Sequence, residues 1–309
     1  MTFSIVARDP ENGDLGVAVA SKFLASGSVV NHARAGVGAI ATQALANYSF
    51  GPDGLELLAE GLSAQETVDR LTAADDGRDH RQLGIVDAQG GSATYTGASC
   101  IDWAGGRTLE GIAAQGNILA RPSVVDAMIE AFLAPGLPFP ERLVAALKAA
   151  DEQGGDRRGR QSAALVVKRD KGGYGANNDK WIDLRVDDDP QPMDRLAAMV
   201  GLVHLYRDRP RAEDLLPIDE QVAVELRKRL SAGGYVPERL NEQRSLADVL
   251  AGSDVELTGE PRDPPESWDM GWQKALAEWM SVENLEERMT ARGWIDPRVL
   301  DHLRRDAAG

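Results

Sequence analysis

Cysteine is nearly absent from this chain: Cys100 is its single thiol in 309 residues. One thiol closes no internal disulfide and builds no zinc cluster, a usage that fits a reducing compartment. Histidine is scarce as well. His32 and His80 stand without a second histidine or a carboxylate at ligand spacing, so no metal site is expected. No apolar run approaches the roughly 20 residues that span a bilayer. The opening residues, Met1-Thr2-Phe3-Ser4-Ile5-Val6-Ala7, carry no cationic stretch ahead of an apolar one. A signal peptide is therefore not expected, and the expected location is the cytoplasm. Positive charge is the minority sign, with 34 Lys and Arg against 49 Asp and Glu and a formal charge of −15. No basic run is interleaved with aromatics. Such a chain repels polyanions, so neither nucleic acid nor an anionic membrane surface is an expected partner.

What is present is a globular composition, 43% hydrophobic and 27% charged, in a length that suggests two domains. Phe3, Ile5 and Ala7 alternate with Ser4, Val6 and Arg8, the period of a strand. Turn residues around Asn12-Gly13 lead to a second, small-residue strand at 15–20. Further strands are expected at 28–30, 36–42, 82–87, 92–96, 111–117, 162–168 and 181–186. Helices are expected from Gly54 to Gly61, after a Ser63/Glu66 capping box, and at 122–133 and 139–150. Strand hairpins, helix pair, hairpins, helix pair, strands: this order suggests antiparallel sheets covered by helices, an α+β layered fold. The run Asp187-Asp188-Asp189 before Pro190 reads as a solvated turn closing a domain at 1–190. A connector helix and linker at 191–217 lead to a small, mainly helical domain at 218–309, with a polar loop expected at 254–267.

The second residue is the informative one at the N-terminus. Methionine is trimmed before a small side chain, and a chain then starting at Thr2 has its α-amine within reach of its own hydroxyl. An amine of ordinary pKa about 7.7–8.0 needs only a modest downward shift to act as general base for that hydroxyl.

The segments Thr2-Phe3-Ser4-Ile5-Val6-Ala7, Gly16-Val17-Ala18-Val19-Ala20-Ser21-Lys22, Gly36-Val37-Gly38-Ala39-Ile40-Ala41-Thr42-Gln43, Arg81-Gln82-Leu83-Gly84-Ile85-Val86-Asp87, Gln115-Gly116-Asn117-Ile118-Leu119 and Gly154-Gly155-Asp156-Arg157-Arg158-Gly159-Arg160-Gln161-Ser162 occur in this order. Together they resemble an uncharacterised bacterial family, number 1028 among the domains of unknown function. The resemblance implies a four-layer αββα sandwich of the N-terminal-nucleophile hydrolase type over about residues 1–190. It implies Thr2 as nucleophile, an oxyanion hole at the strand end from Gly38 to Gln43, Asn117 in the turn near the terminal amine, and Asp156 and Ser162 orienting that amine. Proteasome subunits place a lysine in the second hairpin. Here Val30-Asn31-His32 has none, which leaves Lys22 or Arg160 to supply positive charge. Ser21, Asn47, Asp102, Gln115 and Arg160 are the expected substrate-binding residues.

Plainer roles stand beside these. Gln43 and Asn47 can satisfy buried backbone groups, Asn117 can cap a helix, and Asp156 can hold a loop. Cys100 has no histidine base, and residues 111–117 lack the strand–GxGxxG–helix context of a nucleotide loop, so no cofactor is expected. In the C-terminal domain, residues 276–288 and Trp294-Ile295-Asp296-Pro297 resemble a peptidoglycan-binding domain, which implies glycan contact through exposed aromatics. Against that, Trp272 and Trp279 are seven apart, the spacing of one helix face and of a core. The expectation is an amidohydrolase acting on a small or peptide-like amide through an acyl-enzyme on Thr2, in a homo-oligomer. The alternative is a non-catalytic binding protein of the same fold that recognises glycan or a protein partner.

Overall fold

The computed structural model describes residues 2–173, 176–239 and 257–306. Met1 and the start of the polar loop expected at 254–267 lie outside them. The chain divides into two compact units, 1–200 and 201–309.

The first unit is built on two antiparallel sheets. Strands β1 (Thr2–Arg8), β2 (Leu15–Ser21), β7 (Gly105–Leu109), β8 (Ile112–Asn117), β9 (Ser162–Lys168) and β10 (Lys180–Val186) form one, in the order β10-β9-β2-β1-β8-β7. Strands β3 (Asn31–Arg34), β4 (Gly38–Ala44), β5 (Arg81–Asp87) and β6 (Ser92–Thr96) form the other in sequence order. Val6, Val17 and Ala113 of the first sheet share a core with Ala39, Ala41 and Val86 of the second, so the sheets lie face to face. On the outer side of the four-stranded sheet, Ile40, Leu83 and Ile85 pack against α2 (Phe50–Ala59) and α3 (Ala64–Ala73). The six-stranded sheet is covered by α4 (Ser123–Leu133) and α5 (Phe139–Glu152).

Strand β2, Leu-Gly-Val-Ala-Val-Ala-Ser, is buried along its whole length. A strand covered on both faces needs small residues where a helix crosses it. At Gly16 an added Cβ would come within 2.5 Å of Leu143 on α5. The Ser63/Glu66 capping box is present at the start of α3, each residue's side chain accepting from the other's backbone N–H.

Three elements differ from expectation. Residues 28–30 form no strand: Gly27–Val30 is a short helix, α1, whose N–H groups bond back to Ala25 and Ser26, and the strand follows at Asn31–Arg34. Two adjacent valines favour a strand only where a partner strand is in reach. Helix α2 starts at Phe50, four residues before Gly54, because Pro52 falls in the first turn, where its missing N–H costs no bond. Strand β7 was not expected. It is an edge strand of sequence Gly-Gly-Arg-Thr-Leu, largely open to solvent, without apolar alternation to mark it.

Among the described residues of the second unit, the elements are helices and one two-stranded pair, Leu216–Pro217 with Trp294–Ile295. Its core gathers Leu226, Leu230, Trp268, Leu276, Trp279 and Leu300. A buried ion pair, Arg288 Nη1 to Asp296 Oδ2 at 2.5 Å, sits beside it, with Arg288 Nε donating to Leu205 O at 2.6 Å. Among the described residues no helix is long and apolar enough to cross a membrane.

Candidate active site

Thr2 begins β1 in the middle of the six-stranded sheet, opposite Ser21 of β2 on one side and Asn117 of β8 on the other. Alternate residues of β1 face the second sheet, so Thr2, Ser4 and Val6 all enter the space between the sheets. The same alternation brings Gln43 from β4, Gln82 from β5, and Gln115 and Asn117 from β8. All of these polar side chains are buried.

They form one directed network. Gln115 Nε2 donates to Ser4 Oγ at 2.7 Å, and Ser4 Oγ donates to Gln43 Oε1 at 2.7 Å. Gln43 Nε2 donates to Gln82 Oε1 at 2.8 Å and approaches Thr2 O at 3.4 Å. Asn117 Nδ2 donates to the same Gln82 oxygen at 2.9 Å. Gln82 Nε2 in turn donates to Gly116 O at 2.7 Å and Thr96 Oγ1 at 2.9 Å. Gln82 is thus the hub, bonded to both sheets. Gly84 makes room for Gln115: a Cβ there would lie 2.0 Å from Gln115 Oε1. That oxygen is buried and accepts no hydrogen bond among the described residues.

Thr2 stands at the mouth of this network, 8% exposed, its Oγ1 hydrogen-bonded to Ser21 Oγ at 3.0 Å. It lines a cleft of about 320 Å³ together with Ser26, Gln43 and a set of apolar residues that includes Phe23, Leu45 and Tyr48. Among the described residues, three of the six non-glycine ones with left-handed backbone lie next to site residues: Ala25 (φ 51°) precedes Ser26, Ala44 (φ 67°) follows Gln43, and Ile118 (φ 52°) follows Asn117. Each such conformation costs about 1–3 kcal/mol and persists only where its surroundings enforce it, a feature that clusters at functional sites. Behind the cleft wall, the His32 ring donates from Nε2 to Val29 O at 3.1 Å, and burial pushes its imidazole below the ordinary value.

Residues 2–196 match a family model described as "Family of unknown function (DUF1028)". The crystal structure of protein SPO2555 from Silicibacter pomeroyi, a DUF1028 protein, is similar at 35% identity and a TM-score of 0.60. That likeness covers 66% of this chain and 89% of that one. This chain belongs to the DUF1028 family. Residues 260–303 match a second model, described as "Putative peptidoglycan binding domain". No curated protein matches the chain.

Within the DUF1028 domain, Thr2, Ser21, Gln43, Gln115 and Asn117 come together. The other expected residues do other things. Lys22 is exposed and its Nζ donates to Arg160 O at 3.2 Å. Asp156, 7% exposed, accepts the Lys22 N–H at 2.8 Å and the Arg158 N–H at 2.9 Å, fastening the loop after β2 to the loop before β9. Ser162 Oγ meets Ser26 Oγ at 2.6 Å and donates to Phe23 O at 2.6 Å, which fixes the cleft wall from behind. Arg160 is committed to Asp151 and Gln191. Asn47 Oδ1 accepts the Ser49 N–H at 3.1 Å in the turn that leads into α2. Asp102 is exposed in a segment held to β8's exit by Ile118 N–H to Ile101 O at 2.8 Å. Cys100 donates through Sγ to Arg81 O, and burial pushes its thiol up, away from thiolate chemistry.

Sequence reading missed Ser4, Ser26 and Gln82 as site residues. Ser4 and Gln82 had a signal: each is a polar residue at period two inside a strand whose other residues are buried. Ser26 had none.

Proposed function

We propose that the DUF1028 domain is a hydrolase of the N-terminal-nucleophile type that cleaves the amide bond of a small or peptide-like substrate through an acyl-enzyme on Thr2. The observation that carries this reading is the hydroxyl of Thr2, the second residue of the sequence, hydrogen-bonded to Ser21 at the inner end of a cleft. On this reading Met1 is removed, and the freed α-amine takes the proton from Thr2 Oγ1 as that oxygen attacks the carbonyl carbon. Backbone donors at the end of β4, beside Gln43, would stabilise the oxyanion. Collapse breaks the C–N bond, and the proton passes from the α-amine to the departing amine. Water, deprotonated by the same amine, then attacks the ester; the bond from its carbonyl carbon to Thr2 Oγ1 breaks, Oγ1 takes the proton back from the ammonium, and the acid leaves. Ser21 holds the hydroxyl, and the Gln82 hub holds Gln43 and Asn117 in place. Asp156 and Ser162 act through the loops they fasten, and Lys22 acts through the loop it ties to Arg160.

The test joins mass spectrometry to kinetics. The mature chain should lack Met1 and take one adduct, at Thr2, from a broad electrophilic probe. Thr2→Ala should lower turnover by roughly 1,000-fold or more, at a stability cost near that of one hydrogen bond, about 1 kcal/mol. A fully active Thr2→Ala protein overturns the mechanism.

A second reading, a binding protein of the same fold, draws on one observation: among the described residues none that lines the cleft is charged, so none of them is a cation that could lower the pKa of the amine. A trimmed chain that takes no adduct supports it. For the second unit we propose glycan contact, on the family-model match. Trp268 and Trp279 are spent in the core at 1% and 2% exposure, which leaves the half-buried Trp272 and Trp294 to meet sugar. Retention of the full chain on insoluble peptidoglycan, lost in Trp294→Ala, is the expected result.

A further inference from the structure

We infer that the cleft at Thr2 selects amides whose acyl group is uncharged and apolar, an alkanoyl or arylalkanoyl group of about six to eight carbons, over acyl groups that carry a charge. This inference rests on the Thr2 reading above and names the substrate class for it.

The chain is 27% charged, with a formal charge of −15. Yet among the described residues those lining the cleft include no Asp, Glu, Lys, Arg or His. Its walls are Val29, Val30, Ala44 and Ala46, and its rim is Phe23, Leu45 and Tyr48. The three rim residues are 51%, 65% and 61% exposed. Single exposed apolar residues are ordinary, but three large ones around one opening mark a surface kept apolar for contact. The volume, about 320 Å³, lies at the small end of ligand pockets.

The polar groups at the inner end are already committed. Thr2 Oγ1 is paired with Ser21, Ser26 Oγ with Ser162, and the Gln43 amide with Ser4 and Gln82. Apart from the Thr2 α-amine, which the mechanism needs neutral, the described residues here offer a carboxylate or ammonium no counter-charge, and either would lose its water on entering. Lys22, next to Phe23 in the chain, has its ammonium on Arg160 O, and Arg81, whose guanidinium reaches Leu45 O at the rim, is paired with Asp75. Apolar carbon entering the same space loses only water. Wall peptides, whose side chains carry free carboxylates and amines, therefore fit this cleft poorly, whatever the second unit holds.

Two measurements on the full-length protein separate the substrate class from the chemistry. The first is hydrolysis of matched anilides: acetyl, hexanoyl, phenylacetyl and succinyl. At about fourfold per buried methylene, hexanoyl should exceed acetyl on the order of 100-fold in kcat/KM, and the anionic succinyl should fall below acetyl. The second is binding of hexanamide, phenylacetamide and succinamic acid to wild-type and Thr2→Ala protein, by ligand-observed NMR. Leu45→Lys and Tyr48→Asp place charge on the rim at exposed positions, and an unchanged thermal midpoint checks that each folds. Each should lose about tenfold or more for the hexanoyl and phenylacetyl compounds.

Apolar amides that bind and lose binding in Leu45→Lys, but are not hydrolysed, uphold the ligand class and overturn the hydrolase reading. Hydrolysis in which succinyl equals or exceeds hexanoyl upholds Thr2 and overturns this inference. So does hydrolysis that is indifferent to acyl length. Failure of every apolar amide both to bind and to react overturns it too.

Discussion

The space between the two sheets has two ends, filled by opposite chemistry on the same strands. Going along β1 the inward residues run Val6, Ser4, Thr2. On β8 they run Ala113, Gln115, Asn117; on β5, Val86, Gly84, Gln82; on β4, Ala39, Ala41, Gln43. One end is a core of small aliphatic residues. The other is a lattice of amides and hydroxyls whose buried members are bonded to one another with distances of 2.7–2.9 Å at its main links. Both ends hold the sheets together, but by different means. The aliphatic end relies on removing carbon from water and tolerates any side chain of similar volume. The amide end relies on its donors meeting acceptors, since a buried group without a partner costs more than its bond contributes; among its described residues only Gln115 Oε1 goes unmet. A fold that needed only stability has no use for the second arrangement. Its position, beside Thr2 and three left-handed residues, is why we propose a site there.

The largest effect should come from removing the hub. Gln82→Leu keeps the shape but leaves Gln43 Nε2, Asn117 Nδ2 and Gly116 O each short of a partner. At about 1–3 kcal/mol for each buried group, a loss near 4 kcal/mol is expected. Val17→Ala, at the aliphatic end, should cost about 2 kcal/mol by cavity formation. Urea unfolding of the two variants compares them directly. Equal losses would mean that the amide lattice is replaceable packing.

A smaller effect separates stability from function. Gly84→Ala would drive a methyl group into the Gln115 amide, and Gly16→Ala would drive one into Leu143 on the far face of the other sheet. Both should cost about 2 kcal/mol by overpacking. Only Gly84→Ala displaces Gln115 from Ser4 and so disturbs the link to Gln43 and Thr2. Its turnover, or its binding of apolar amides, should drop while that of Gly16→Ala does not. Equal activities would detach the network from the site.

How much of this was legible beforehand follows from what a strand period can carry. The alternation of Ser4 and Val6 with Phe3 and Ile5 is local, so the faces of β1 can be read from the sequence. So can the capping box of α3, whose two residues are three apart. Which face meets which is not local: Ser4 bonds to residues 39 and 111 positions away. Gln82 was therefore readable as a buried polar residue, but not as the hub. The family motifs placed Gln43 and Asn117 near Thr2, which the geometry explains through Gln82. They also pointed to Lys22, whose side chain turns to a loop contact because it lies just beyond the end of β2, where alternation no longer fixes direction; Asn47, expected to bind substrate, instead holds the turn into α2. The left-handed backbones at Ala25, Ala44 and Ile118 left no trace, since alanine and isoleucine are not residues that signal such a conformation.

The smallest effect concerns acid. Among the described residues neither end of the inter-sheet space contributes a carboxylate, so acid should act on this unit from its periphery. Asp75 is a case beside the cleft. The Arg81 guanidinium, bonded to it at 2.7 Å, holds its carboxyl below the usual value of 3.8, and the same guanidinium donates to Leu45 O on the rim at 2.5 Å. A carboxylate whose pKa is lower folded than unfolded adds stability above its unfolded value, and that stability is lost as pH falls through the folded one. The contribution should be full at pH 6 and fading by pH 3. For a single pair near the surface it should stay below about 1 kcal/mol. Asp75→Asn should therefore be less stable than wild type at pH 6 and nearly equal to it at pH 3, read from urea midpoints at the two values. An equal deficit at both would mean that Asp75 acts through its hydrogen bonds alone. A deficit that grows toward pH 3 would mean that the polar end holds a titrating group after all.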